Sequence, residues 1–184
     1  MNNKKINIFS TGEHDHAGCI EDAILKAELV CKNNNLRFTK IRKKVLQLIW
    51  SSHKPIGAYE ILDSLRAEEI KAEPPTVYRA LSFLIDACLV HRLDSLNAFV
   101  GCVDPENTHQ GQFFICQDCN NVSEFNDHEI SDLVDLKMKS NGFSATHQTL
   151  EFYKLSLGIS VSSCLLYTSP SPRDRTRSRM PSSA

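Results

Sequence analysis

The sequence predicts an α+β fold in two parts, a helical domain closed by a β-hairpin and then a small α/β unit. Three observations carry this reading. Apolar residues recur at helical spacing in four segments between Ile20 and Cys88. From Leu89 the period shortens to that of strands. Further on, a Cys-x-x-Cys turn separates two more strand-like runs, and a helix-capping pattern follows them.

Residues 1–17 are polar and aperiodic and read as a flexible N-terminus, with His14 and His16 a solvated pair rather than a metal site. In the first helix Ile20, Ala23, Ile24, Ala27 and Cys31 keep helical spacing, and Asn33-Asn34-Asn35 stops it. Thr39 is placed to cap the second helix, whose stripe is Ile41, Val45, Leu48 and Ile49. The third presents Ala58, Ile61, Leu62 and Leu65. The fourth opens on Pro74-Pro75, where proline's fixed φ and missing N–H suit a first turn. Its expected buried stripe is Val77, Leu81, Leu84, Ile85 and Cys88. Strands are predicted over 89–94 and 98–102, around Ser95-Leu96-Asn97. Helices followed by a β-hairpin are the layout of a winged helix-turn-helix domain, here over residues 18–102.

Residues 103–155 form the second unit. A polar linker leads to a strand at 113–115, the Cys-x-x-Cys turn, and a strand at 122–125. A helix is expected from about residue 127 to 140, with Asn126 and Glu129 spaced like a capping box and Asn141-Gly142 as its stop. A last strand is expected from about 145 to 153. A sheet this small buries little apolar area, which predicts a dimerisation domain completed by a partner subunit. Residues 156–184 read as a non-native tail. The stretch CLLYTSPSPRD, from Cys164, resembles translated sequencing-adaptor sequence.

With 41% hydrophobic and 23% charged residues, the composition is that of a soluble globular protein. No apolar run approaches the roughly 18 residues that span a bilayer, and no apolar stretch follows the N-terminal lysines as a secretory signal requires. Both point to the cytoplasm, where the seven cysteines are expected to be thiols or metal ligands rather than disulfides. A formal net charge of −1 excludes nucleic-acid binding by bulk positive charge but leaves room for a local basic face.

Such a face is available. With Val77, Leu81 and Leu84 inward, Tyr78, Arg79 and Ser82 of the fourth helix point away. Arginine can contact phosphate or fork onto guanine, and tyrosine can donate to phosphate. The stretch 37–44, RFTKIRKK, puts five basic residues in eight positions. Thr76, Tyr78, Arg79, Arg37 and Arg42 are therefore candidate contacts to duplex DNA, the alternative for the basic run being a solvated helix face. For metal, Cys116 and Cys119 flank a knuckle-like turn that can supply two thiolates to one tetrahedral zinc ion, which is half a site. The alternatives are a dithiol redox pair, although such pairs usually lie at a helix N-terminus, and two incidental cysteines. His91, Cys102, His109 and Glu124 are a more dispersed set of one thiolate, two imidazoles and one carboxylate. Each of these four also has an ordinary reading as a surface, core, linker or edge residue.

PPTVYRALSFL followed by LVHRLDS, FVGC, the linker histidine and FFICQDC resembles the ferric uptake regulator family, and within it most the zinc-responsive members. The likeness runs from about residue 20 to 153. It implies a homodimeric repressor that binds a double-stranded operator and uses zinc as its cofactor, with no small-molecule substrate and no membrane. The same likeness implies that His91, Cys102, His109 and Glu124 are the regulatory zinc ligands. Cys116 and Cys119 match half of a structural four-cysteine site, and Tyr78 and Arg79 match recognition-helix contacts. Two departures stand out. Iron and peroxide sensors of the family carry a histidine-rich run before the knuckle, whereas here that place reads ENTHQGQFF. The second Cys-x-x-Cys expected after the last strand is missing, with Ser156 where its first cysteine would align; truncation or chimerism between about residues 154 and 163 is the expected cause. An iron, manganese, nickel or peroxide sensor is the alternative within the family. Outside it stand a thiol redox regulator and a zinc hydrolase, the latter lacking any HExxH-type base motif.

Overall fold

The computed structural model describes residues 16–51, 54–107, 109–145 and 148–154. His14 and the whole 156–184 tail lie outside the described residues. The order is α1 (His16–Asn33), α2 (Lys40–Trp50), β1 (Ile56–Gly57), α3 (Ala58–Ala67), α4 (Pro74–Asp86), β2 (Val90–Leu93), β3 (Ala98–Gly101), β4 (Gly111–Cys116), β5 (Val122–Phe125), α5 (His128–Ser140) and β6 (Thr149–Lys154). Helices α1 to α4 pack around Ala27, Val45, Ile61, Leu65, Val77, Leu81 and Leu84, all essentially inaccessible to water.

Local chemistry sets the ends of these elements. Thr39 caps α2, its side chain accepting from the Arg42 N–H. Helix α1 begins at His16, inside the stretch expected to be flexible. The buried face of α4 is Val77, Ala80, Leu81 and Leu84. Ile85 is half-buried and Cys88 exposed, because the helix ends at Asp86 and Cys88 turns into the left-handed region at φ 56°. The N-cap of α5 is Asp127, not Asn126; its carboxylate accepts from the Glu129 and Ile130 N–H groups. Gly142, at φ 75°, supplies the stop expected after α5. Strand β6 starts at Thr149, later than expected.

Two three-stranded sheets follow. The wing sheet has order β1-β3-β2, all antiparallel, so the short β1 adds an edge to the expected hairpin. At Gly101 a Cβ would come within 2.2 Å of the Trp50 ring, so α2 lies directly on β3. In the second sheet β4 is central, paired antiparallel with β5 and parallel with β6, and α5 makes the crossover that a parallel pair requires. Phe113 is opposite Glu124 on one side and Glu151 on the other, so these three form one cross-strand row. Phe113 and Ile115 pack against Leu93 of the wing, with Val100 and Val122 around them. The opposite face carries the aromatic cluster Phe114, Phe125 and Phe152. No helix among the described residues is long and apolar enough to cross a membrane.

Candidate metal centre and nucleic-acid interface

His91, Cys102, His109 and Glu124 converge between the two sheets, with one ligand atom from each lying within 4.8 Å of all the others. Four segments deliver them. His91 alternates with Leu93 on β2, so both face the second sheet. Cys102 directly follows β3 and is fixed by its N–H donating to the Leu89 carbonyl. His109 lies in the connection into β4, and Glu124 is on β5.

Glu124 is the hub. Its Oε2 accepts from the Val103 N–H at 2.9 Å. Its Oε1 lies 2.7 Å from His109 Nε2 and 2.9 Å from His91 Nε2. The His91 contact has no hydrogen-bond geometry, and that buried nitrogen has no hydrogen-bond partner. His109 Nδ1 lies 2.8 Å from the Asn107 carbonyl and donates to it, which turns Nε2 toward the cluster. Cys102 Sγ is 3.6 Å from His109 Nε2.

Electrostatics follow from this packing. Burial opposes ionisation of Glu124, yet the facing His91, the Val103 N–H and His109 hold its pKa below the ordinary carboxylate value. Burial likewise opposes protonation of His109, but the Asn107 carbonyl and Glu124 outweigh it and raise its pKa. Burial and then the Glu124 charge push the Cys102 thiol upward.

The donor set fits a metal ion. With Zn–N near 2.0 Å and Zn–S near 2.3 Å, tetrahedral donors lie about 3.3–3.8 Å apart. The Cys102–His109 separation falls in that range. The shorter Glu124 contacts are what remains when a carboxylate faces two imidazoles directly. The buried His91 Nε2 faces Glu124 Oε1 without an aligned hydrogen bond, and that one oxygen is shared with His109, a crowding that a shared cation would resolve.

The knuckle joins β4 to β5. The Asn120 N–H donates to the Cys116 carbonyl and the Cys116 N–H to the Asn121 carbonyl, with Asn120 at φ 57°. Cys116 is buried and Cys119 half-buried, and neither is in a disulfide.

On α4, Tyr78, Arg79 and Ser82 are exposed and Thr76 is half-buried. The basic run divides. Arg37 is exposed, but the Arg42 guanidinium stacks on Phe83, 3.5 Å from the ring centroid, and donates to the Arg37 carbonyl. Lys43 pairs with Glu28 at 2.8 Å, and Lys44 pairs with Glu68. Much of the run therefore ties α2 to its neighbours. Sequence reasoning missed this bracing, as it missed the Val103 N–H and the contacts of Glu151 described below. A glutamate between Leu150 and Phe152 inside a strand was the available signal for Glu151.

A model of the ferric uptake regulator family matches residues 33–153. The chain belongs to this family. Among its curated relatives, the zinc uptake regulation protein of Escherichia coli strain K12 is 36% identical over 136 residues, covering 73% of this chain and 80% of that protein. The peroxide-responsive repressor PerR of Staphylococcus saprophyticus is 27% identical over 74% of this chain and 88% of its own length. Among solved structures, a zinc uptake regulator complexed with zinc and DNA aligns with a TM-score of 0.70 at 35% identity, over 76% of this chain and 93% of that one. The holo form of XcZur aligns with a TM-score of 0.68 at 39% identity, over 74% and 96%. Family membership makes this protein a metal-responsive regulator rather than an enzyme, and the α+β architecture is the one these neighbours share.

Proposed function

We propose that this protein is a zinc-responsive repressor of zinc-uptake genes, acting in the cytoplasm as a homodimer on a double-stranded DNA operator. The observation that carries the proposal is the convergence of His91, Cys102, His109 and Glu124 at the junction of wing and second sheet. We assign those four as the regulatory zinc ligands and Cys116 and Cys119 as half of a structural zinc site. Residues 18–102 are the DNA-binding domain and 103–155 the dimerisation domain. Tyr78, Arg79, Thr76 and Arg37 are assigned to DNA contact. Arg42 is kept as a DNA-facing residue whose guanidinium also braces α4.

A thiolate with two imidazoles is a softer set than an all-oxygen or histidine-carboxylate site, which favours zinc over magnesium or manganese. When bound, the ion supplies one positive centre that all four donors share. The rest is done by the chain. His91 and Cys102 belong to the wing, whereas Glu124 belongs to the second sheet, so ligation by all four holds the wing in one orientation. Two subunits so fixed present their α4 helices at one separation, which is what half-sites one helical turn apart demand. Dimer formation is supported by α5, which has no buried residue and exposes Leu133 and Leu136, and by the partly open Phe114–Phe125–Phe152 face.

The test is operator binding by the full chain against free zinc concentration. Affinity should rise by orders of magnitude with zinc, and Cys102→Ala should abolish the rise. Equal affinity with and without zinc overturns the proposal.

A further inference from the structure

We infer that Glu151 is a positioning residue for the wing, forming with Tyr153 a metal-independent clasp at the far end of the domain junction. The inference rests on the reading above, in which wing orientation governs DNA binding. The Asp94 N–H donates to Glu151 Oε1 at 3.0 Å, across 57 residues of sequence. The Ser95 hydroxyl donates to Glu151 Oε2. The Tyr153 hydroxyl donates to Ser95 Oγ and lies 3.3 Å from Glu151 Oε2. Each carboxylate oxygen thus holds a different donor of the turn between β2 and β3.

The placement follows from register. Glu124, Phe113 and Glu151 form one row across β5, β4 and β6. His91 and Leu93 alternate along β2, and Ser95 continues that alternation into the turn. The two rows meet pairwise. Glu124 meets His91, Phe113 packs with Leu93, and Glu151 meets Ser95. A carboxylate therefore stands at each end of an apolar contact. One end joins the metal ligands; the other is satisfied by a backbone N–H and hydroxyls alone. The second end needs no ion, so it favours the closed wing in the metal-free protein as well. A contact made only when the wing is closed shifts the population toward that state. By reciprocity it strengthens zinc binding at ligands it does not touch.

The experiment compares full-length wild type with Glu151→Ala, Glu151→Gln and the Glu151→Ala/Ser95→Ala pair. Two readouts are taken without DNA: hydrogen exchange of the wing turn in metal-free protein, and zinc affinity by chelator competition. Glu151→Ala should speed exchange at residues 93–96 and weaken zinc binding about three- to tenfold at unchanged stoichiometry. Glu151→Gln should retain most of both, since its amide oxygen still accepts from Asp94. Adding Ser95→Ala to Glu151→Ala should change little further. Unaltered exchange in Glu151→Ala overturns the clasp, as does acceleration spread evenly over α1–α4 and both sheets, which marks general destabilisation. Wild-type protein that fails to respond to zinc would refute the repressor reading instead, while the metal-free exchange would still decide the clasp.

Discussion

Glu124 divides its two oxygens between a backbone N–H and a pair of imidazoles, and the ionisation of its neighbours follows from that. In the metal-free protein its pKa is held below 4.5, while that of His109 is raised above 6.5. The carboxylate's stabilisation is complete above pH 4.5 and is lost as pH falls through the lowered value. The imidazole's is complete below pH 6.5 and is lost as pH rises through the raised value. Metal-free protein should therefore gain most from this pair between those limits, and Glu124→Gln should flatten the profile; denaturant unfolding across pH checks this. The Cys102 thiol, pushed upward by burial and by Glu124, keeps its proton until a metal replaces it. Zinc titration calorimetry in buffers of different ionisation heat should show release of about one proton or more, reduced by about one in Cys102→Ala. Heats independent of buffer would contradict this.

At the scale of elements, Gly111 at the start of β4 deserves its missing side chain. A Cβ there would lie 2.7 Å from the Phe113 ring and 3.2 Å from His91 Nδ1. Gly111→Ala should displace the His91 imidazole and weaken zinc binding about tenfold or more, while the helical core, remote from it, keeps its stability. Chelator competition and thermal unfolding measure the two effects separately. Most elements could be read in the sequence because their apolar periods are regular: in α3 the expected Ile61, Leu62 and Leu65 are the buried face, whereas in α2 Leu46 is buried in place of the expected Leu48. Where a side chain's partner lies on another element, periodicity is silent. Arg42 looked like a free cation because nothing local announces Phe83, 41 residues on. Cys88 fell on the extrapolated stripe of α4 because the helix end at Asp86 leaves no glycine or proline behind as a marker. The four proposed metal donors were selected by family likeness. Composition alone could not join them, since their convergence depends on two sheets meeting.

For the whole molecule, the open surface of the second sheet and α5 carries the remaining prediction. Leu133 and Leu136 are 57% and 64% exposed, three residues apart on one side of the helix. Leu136→Asp should leave the isolated subunit folded, since the position is already solvated, but shift the protein to monomer and abolish tight operator binding. Sedimentation velocity and a DNA-binding titration check the two halves. A variant that stays dimeric would place the subunit contact elsewhere.

The seat of Trp50 on Gly101 has a practical consequence. It is the chain's single tryptophan, and the next residue after Gly101 is Cys102, a proposed zinc ligand. Lys54, Val103 and Glu124 line the same hollow beside the indole. The protein therefore carries its own optical gauge of the domain junction. Emission wavelength and quenching of this one fluorophore should follow the junction's opening and closing, with no label attached.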